Sequence, residues 1–504
     1  MEDRFNLFDE QWIPIPLKGK ASLRQVFTDE TLESIGGTAI QKLAILKLLL
    51  AIGQTAATPE DNDDWKQMGA QGLGKKCIHY LEEHRNLFFL YGEKPFLQFP
   101  SLKKNKEKHS LQERDIGTNY LPDLPSDNNT IINSFQTSHP LSDSDKAVFI
   151  VSIMNYSLGG KRTDKNSPIF TPGFATKKGS AKPGPSLGNY NGYLQTCFQG
   201  KSILETVWLN LLSRENINSF FPQTCDMPIV PPWEKMPSGE DDKTARQLKS
   251  GLMGTLCGMC RFVYLDGDGI IYTDGIQYPS HKDGWREPFM AFSNDEPPKV
   301  AWVDTSKRPW RNLSALLELS LTNTCKDINC PQISMLFRRN CKAINEIGIF
   351  SGGLKVRANS GDQSVKQTDD FVDDSTFLTT SILNEEWFSK LKQEMNGLEE
   401  LSKILYSSIN KYWAGLKSGS SKAIAANGSE AFWDSCNSIK QCLFEKVQND
   451  EKLRLQRKQF SDIAFAVYNN FCPKDTAKQI LQWAESRPSF SKYLALEEEE
   501  TIDA

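Results

Sequence analysis

Apolar residues crowd the chain from Gln41 to Gly53, where "LAILKLLLAIG" combines density, length and freedom from breakers and predicts a buried helix. The run is too short to span a bilayer and is interrupted by Lys47, so a soluble protein without a membrane partner is expected. "WIPIP" at residues 12–16 reads as an edge strand or an extended entry, because proline cannot donate to a central ladder. "NLFFLYGEKPFLQFP", Asn86 to Pro100, predicts a strand, a turn and a second apolar run, and "RFVYLDGDGIIYTDGIQYP" is strand-like as well. Helical and strand patterns alternate without a βαβ rhythm, which gives an α+β body over residues 1–380.

Beyond that point the texture changes. Leu391, Met395, Leu398, Leu405, Ile409 and Tyr412 recur at three- and four-residue steps, as do Phe432, Cys436, Ile439, Leu443 and Val447. Phe460, Ile463, Val467 and Phe471 make a third stripe, and Ala477, Ile480, Leu481 and Ala484 a shorter fourth. Four such stripes predict a four-helix bundle over residues 381–504, with "GLKSGSSKAIAANGSE", Gly415 to Glu430, as the linker between two hairpins.

Three polar stretches interrupt the body: about Asp115 to Asp145, the Gly/Pro-broken segment after Gly159–Gly160, and "SGGLKVRANSGDQSVKQTDDFVDD" from Ser351 to Asp374. Loops this long inside a compact protein are usually functional or disordered. The formal net charge of −4 over 504 residues means that any polyanion binding must be local. Eleven scattered cysteines, and an N-terminus with acids and no apolar h-region, suit reduced thiols and a cytoplasmic setting.

Catalytic motifs are wanting. "GAQGLGKK", Gly69 to Lys76, fits a phosphate loop until Lys76 stands where a magnesium-binding hydroxyl belongs, and no apolar strand precedes it. Cys257 and Cys260 have CxxC spacing but no matching second pair, and their apolar flanks suit buried thiols. The five histidines lie in no HD, HExxH or HNH-like setting. Neither an enzyme, a metal site nor a cofactor is expected.

Charge is concentrated where regular structure stops. Lys161, Arg162, Lys165, Lys177, Lys178 and Lys182 face only Asp164 between Gly159 and Gly188, and Gly173, Gly179 and Gly184 allow close backbone approach. Composition alone leaves phosphate and solvent equally open as the loop's surroundings. In the Ser351 segment, Lys355, Arg357 and Lys366 accompany Asn359 and Gln363, whose amides suit base edges or a wedge against a base pair, or else a polar surface turn.

Taken in order, "FNLFDEQWIPI", "LAILKLLLAIG", "KPFLQF", "NNTIINSF", "TPGF", "SGGLKVRANSGDQ" and the helical C-terminus resemble the CasA family, the large subunit of the type I-E CRISPR Cascade surveillance complex. The resemblance runs along essentially the whole chain. It implies a non-catalytic subunit that checks double-stranded target DNA for the protospacer-adjacent motif from the minor groove, helps open the duplex, and recruits an effector helicase-nuclease. Guide RNA on neighbouring crRNA-bearing subunits reads the sequence.

Carried onto this chain, the family's first loop, near the crRNA 5′ end, corresponds to Asn128, Asn129, Ile131, Ile132 and Asn133. Its glycine loop corresponds to Gly173, Phe174, Ala175 and Thr176, with Lys177, Lys178 and Lys182 as phosphate anchors. The glutamine wedge falls within Arg357 to Gln363, leaving Asn359 and Gln363 as rival tips beside Lys355. A minor-groove lysine of some relatives would fall near Gly269, where the sequence has none, and a zinc-binding cysteine pair of others is replaced by "LSDSDK". The rival readings are an assembly scaffold that touches protein only, or an unrecognised nuclease.

Overall fold

The computed structural model describes residues 2–105, 113–115, 140–159, 176–177, 180–181, 192–224, 227–279, 281–293, 295–296, 298–322, 330–339, 344–359, 362–365 and 370–496. The chain divides into two compact units. One comprises Met1–Thr305, Cys325–Cys341 and Gly348–Ser375; the other comprises Ser306–Thr324, Lys342–Ile347 and Thr376–Ala504. The C-terminal unit thus also takes in chain from well before residue 380.

In chain order come β1 (Arg4–Asn6), β2 (Ile13–Ile15), β3 (Gly19–Ala21), α1 (Leu23–Val26), α2 (Ala39–Ala57), α3 (Asn62–Glu83), β4 (Phe89–Tyr91), α4 (Ser101–Asn105) and β5 (Glu113–Asp115). Next are α5 (Asp143–Asn155), β6 (Thr176–Lys177), β7 (Ser180–Ala181), β8 (Gln195–Gln199), α6 (Ile203–Asn210), α7 (Arg214–Phe220), α8 (Lys243–Ser250), α9 (Leu252–Leu256), β9 (Arg261–Asp266) and β10 (Gly269–Asp274). Then follow α10 (Leu313–Thr322), α11 (Pro331–Arg338), β11 (Glu346–Leu354), β12 (Arg357–Asn359), β13 (Asp362–Ser364) and β14 (Phe371–Thr379). The sheets are small, in strand orders β5-β10-β9 and β14-β11-β8, with two-stranded pairs β1-β4, β2-β3, β6-β7 and β12-β13.

Helix α2 is the expected buried helix. Thr38 and Gln41 form a capping box at its start, and its apolar residues from Ala39 to Ile52 are all buried. It is the one described helix long and apolar enough to cross a membrane, and most of that stretch is buried inside the protein. Even Lys47 is fully buried, its Nζ 2.6 Å from Glu287 Oε2. Burial pulls the Lys47 ammonium below its usual range and pushes the Glu287 carboxyl above its own, while mutual attraction opposes both. "WIPIP" supplies β2, whose partner is β3 in a hairpin that tolerates Pro14.

The segment Ser351–Asp374, expected as irregular, is largely strand: the end of β11, then β12, β13 and the start of β14. Gly352 and Gly353 lie inside β11 because neighbours crowd them. A Cβ on Gly353 would stand 2.6 Å from Val303 Cγ2 and 2.9 Å from the Tyr193 carbonyl oxygen.

The C-terminal unit departs further from a simple four-helix reading. Helix α12 (Glu385–Gly415) buries its whole expected stripe, from Leu391 to Tyr412. The supposed linker is mostly helix: α13 spans Ser421–Asn437, and only Leu416–Ser420 connects the two. That connection closes with Lys417 in the left-handed region at φ 63°, its N–H donating to Ala414 O and that of Ser418 to Trp413 O, each at 2.9 Å. The second stripe breaks at Ser438–Ile439 into α13 and α14 (Lys440–Lys446), and α15 (Asp450–Phe471) carries the third. In α16 (Ala477–Glu485) the fourth stripe faces outward, with Ile480 52% and Leu481 61% exposed. That helix docks through Trp483, which packs on Tyr468 at 6.1 Å between ring centroids and donates to Asn469 Oδ1 at 3.1 Å.

Candidate nucleic-acid interface

The basic segment follows α5 in sequence, and the chain just before it is fixed by three buried groups. Asn155 Nδ2 donates to Leu256 O at 2.8 Å, and Asn155 Oδ1 accepts from Gly258 N at 2.6 Å. Arg261 in β9 is fully buried; one end of its guanidinium pairs with Asp274 Oδ1 at 3.0 Å and the other donates to Leu158 O at 2.8 Å. Gly159 is then clamped by Gln363: its N–H donates to Gln363 Oε1, and its carbonyl accepts from Gln363 N, both at 3.0 Å.

Chain returns at Gly192, with φ +96°, whose carbonyl accepts from Val303 N at 2.8 Å. A Cβ at Gly192 would lie 2.8 Å from Val356 Cγ2. Of the residues that flank the basic segment, Gly159 is bonded to Gln363 and Gly192 to Val303, with Val356 packed close against Gly192. The flanks of the basic segment thus lie beside a hairpin about two hundred residues away in sequence, a juxtaposition that composition could not reveal.

The second loop is a β12-β13 hairpin. Its register pairs Arg357 with Ser364, Ala358 with Gln363 and Asn359 with Asp362, with positions 360 and 361 between the strands. Leu354 and Val365 are buried beneath its base, at 0% and 1% exposure. Gln363 is buried too, and its carboxamide oxygen is engaged by Gly159. Of the two rival tips, then, Gln363 serves as an anchor in this arrangement, while Asn359 lies in the last pair before the connection. Lys355 is half-buried, its Nζ 3.3 Å from Thr305 Oγ1 and its N–H on Asp370 O; Arg357 is exposed.

Thr176 and Lys177 form β6, which pairs with β7 through Thr176–Ala181 and Lys177–Ser180. Gly173, Phe174, Ala175, Lys178 and Lys182 lie outside the described residues, as do Asn128, Asn129, Ile131, Ile132 and Asn133.

A lysine does reach the β9-β10 turn, from elsewhere in the sequence. Lys146 of α5 places Nζ 2.9 Å from Gly267 O and 3.0 Å from Asp268 Oδ1, and Lys103 of α4 lies 2.6 Å from Asp266 Oδ1. Both are paired with acids on the turn, and Lys146 is buried. The acids of "LSDSDK" are engaged as well: Asp145 pairs with Lys20 at 2.7 Å, and Asp143 accepts from Tyr91 Oη at 2.8 Å. Among the described residues no group of three or more His, Cys, Asp or Glu is placed to hold a metal ion. Burial pushes the Cys257 thiol up to about 12 and raises Cys260 further, so neither is a ready thiolate.

A family model described as CRISPR-associated protein Cse1 matches residues 6–467. The chain belongs to the Cse1 family. A CasA/Cse1 protein of Thermus thermophilus is 28% identical to this Cse1-family chain over 342 residues, 62% of this chain and 60% of that relative. The crystal structure of Thermobifida fusca Cse1 superposes with a TM-score of 0.71 at 18% identity, covering 98% of both chains. A chain of a solved CRISPR RNA-guided surveillance complex gives 0.63 at 13% identity, covering 96% of this chain and 98% of that one. At such identities the structural likeness establishes the fold.

Proposed function

We propose that this Cse1-family chain is the non-catalytic large subunit of a CRISPR surveillance complex in the cytoplasm. It binds double-stranded target DNA beside crRNA-bearing subunits, reads the protospacer-adjacent motif from the minor groove, promotes R-loop formation, and receives the helicase-nuclease that degrades the target. Family membership and the structural likeness to a chain of such a complex support the assembly. The observation that carries the DNA-facing role is the Gly159–Gln363 clamp, which ties the residue just before the basic segment to the β12-β13 hairpin.

In this reading the division of labour follows from chemistry. Lys177, Lys178 and Lys182 supply non-directional attraction to phosphates, which sets position without sequence. Backbone around Gly173, Phe174, Ala175 and Thr176 reads groove shape. Asn359, in the last hairpin pair, starts strand separation, and the buried Gln363 keeps the hairpin fixed to the basic segment while it does so. A wedge has to hold the first unpaired bases to offset lost stacking, and a rigid two-stranded base suits that task.

The test is a gel-shift titration of the full chain, and of its complex, with duplexes varying beside the target at several salt concentrations. Replacing Lys177, Lys178 and Lys182 with Ala together should weaken all duplexes alike and flatten the salt slope by about 0.9 for each phosphate no longer neutralised. An unchanged slope removes the phosphate role; duplex binding absent at every salt concentration favours a protein-only scaffold. Metal-dependent cleavage by the purified chain would instead make it a nuclease.

A further inference from the structure

Trp302 is 47% exposed, although its position is fixed. Its backbone bridges to Tyr193, and its ring packs on Tyr193 at 4.7 Å and 55° and on His281 at 5.7 Å and 81°. Tyr193 is buried, and its hydroxyl lies 2.7 Å from His281 Nδ1. A Cβ at Gly192 would come 3.1 Å from Trp302 Cζ3, so glycine at that position leaves the indole its place. The result is an exposed aromatic ring, braced by two others, where residue 192 resumes after the basic segment and Val356 leads into the hairpin.

Cations stand along the same elements. Arg286 donates to His281 O at 3.0 Å, Lys282 is exposed, and Lys355 Nζ reaches Thr305, three residues beyond Trp302. Exposed acids on these stretches include Asp295, Glu296, Asp304 and Asp370, and Asp295 is paired with Lys299 at 3.1 Å. A braced, half-exposed indole with cations on the residues around it matches what single-stranded nucleic acid needs: a π-face for a base and positive charge for the adjoining phosphate.

We infer that Trp302 is a stacking platform for an unpaired nucleobase, which deepens the proposed function and rests on this face meeting nucleic acid. The platform would hold a base freed near the β12-β13 hairpin, whichever strand supplies it. Stacking is tolerant of base identity, so the site adds grip without altering motif preference.

Fluorescence anisotropy of the full chain with short labelled strands tests this, using single-stranded DNA, RNA of the same sequence, and an abasic DNA strand. Trp302→Ala should weaken binding of a base-bearing strand about 5- to 150-fold, with the salt slope unchanged. Trp302→Phe should retain most of the affinity, and the abasic strand should bind both variants like wild type. The DNA and RNA arms identify the source of the base by which one loses more. Equal binding by Trp302→Ala and wild type overturns the inference, as does an equal loss on the abasic strand. A defect confined to assembly with the other subunits makes Trp302 a protein contact and also overturns it. An unchanged thermal midpoint for Trp302→Ala establishes that the fold is intact. If wild type binds neither duplex nor single strand, the proposed function falls too; if salt-dependent duplex binding persists and only the Trp302 effect is missing, the platform alone falls.

Discussion

Ser351–Asp374 and Gly415–Glu430 each carry three glycines, several serines and two lysines, although the first also has five aspartates. They fold differently: the first contributes strands to the body, the second the end of α12 and half of α13. The difference lies in what approaches the glycines. Gly353 faces a backbone carbonyl and a branched side chain, whereas a Cβ on Gly428 in α13 would press on the terminal Ile409 Cδ1, at 2.4 Å, with Phe471 Cγ at an ordinary 3.7 Å. Backbone cannot yield without disturbing its hydrogen bonds, but a terminal methyl can move. The same residue type therefore marks a hard constraint in one segment and a soft one in the other.

The largest test of that contrast is Gly353→Val. Strand propensity alone favours valine by up to about 1 kcal/mol. The approach of Val303 and Tyr193 O predicts the opposite sign, a loss of about 3 kcal/mol. Urea denaturation read as a shift in midpoint at constant m-value decides between them. Val303 and Tyr193 also set Gly192, so the variant should displace the end of the basic segment and weaken duplex binding. A valine variant as stable as wild type would show that close approach is not what put glycine there.

Next in size is the clamp. Gln363→Leu removes the acceptor of the Gly159 N–H and leaves a buried donor unsatisfied, which costs about 2 kcal/mol. Gln363→Glu keeps an acceptor at that position and should lose less. Asn359→Ala should leave stability within about 0.5 kcal/mol yet slow duplex opening within the assembled complex. Denaturation midpoints and the rate of opening, followed by a base-analogue fluorophore, separate the two roles. If Gln363→Leu is fully stable while opening fails, Gln363 is the wedge after all and leaves its clamp to act.

What the sequence made legible is the local part of the structure. Apolar density announced α2, and periodicity announced α12 and α15, because a helix that must bury one face carries that face in its spacing. The orientation of α16 was not legible: Ile480 and Leu481 recur at the spacing of buried residues, but Trp483 is the side chain that finds a partner, on Tyr468. Nor was the end of α12, where glycines stand at 415 and 419 yet Lys417 takes the left-handed conformation. At the candidate interface, the charge and glycine content of the loops could be read directly. Their meeting could not, since it rests on one residue pair 204 positions apart in sequence. Trp302 and Lys146 were missed for the same reason; each matters through what the fold brings beside it.

The smallest effect is the most discriminating for the second segment. Gly428→Ala adds the methyl that would press on Ile409 Cδ1, and displacing that side chain from its rotamer costs about 0.5 to 1.5 kcal/mol. Within a helix, alanine in place of glycine is worth about 1 kcal/mol in the other direction. The two nearly cancel, so the thermal midpoint should move little and in either direction. Pairing the change with Ile409→Val, which removes the obstructing δ-carbon, should convert it into a clear gain relative to Ile409→Val alone. That coupling is the signature of a soft constraint, because relief comes from a neighbouring side chain. A loss above about 2 kcal/mol in Gly428→Ala, not rescued by Ile409→Val, would mean that the α12-α13 seam is as unyielding as the sheet around Gly353.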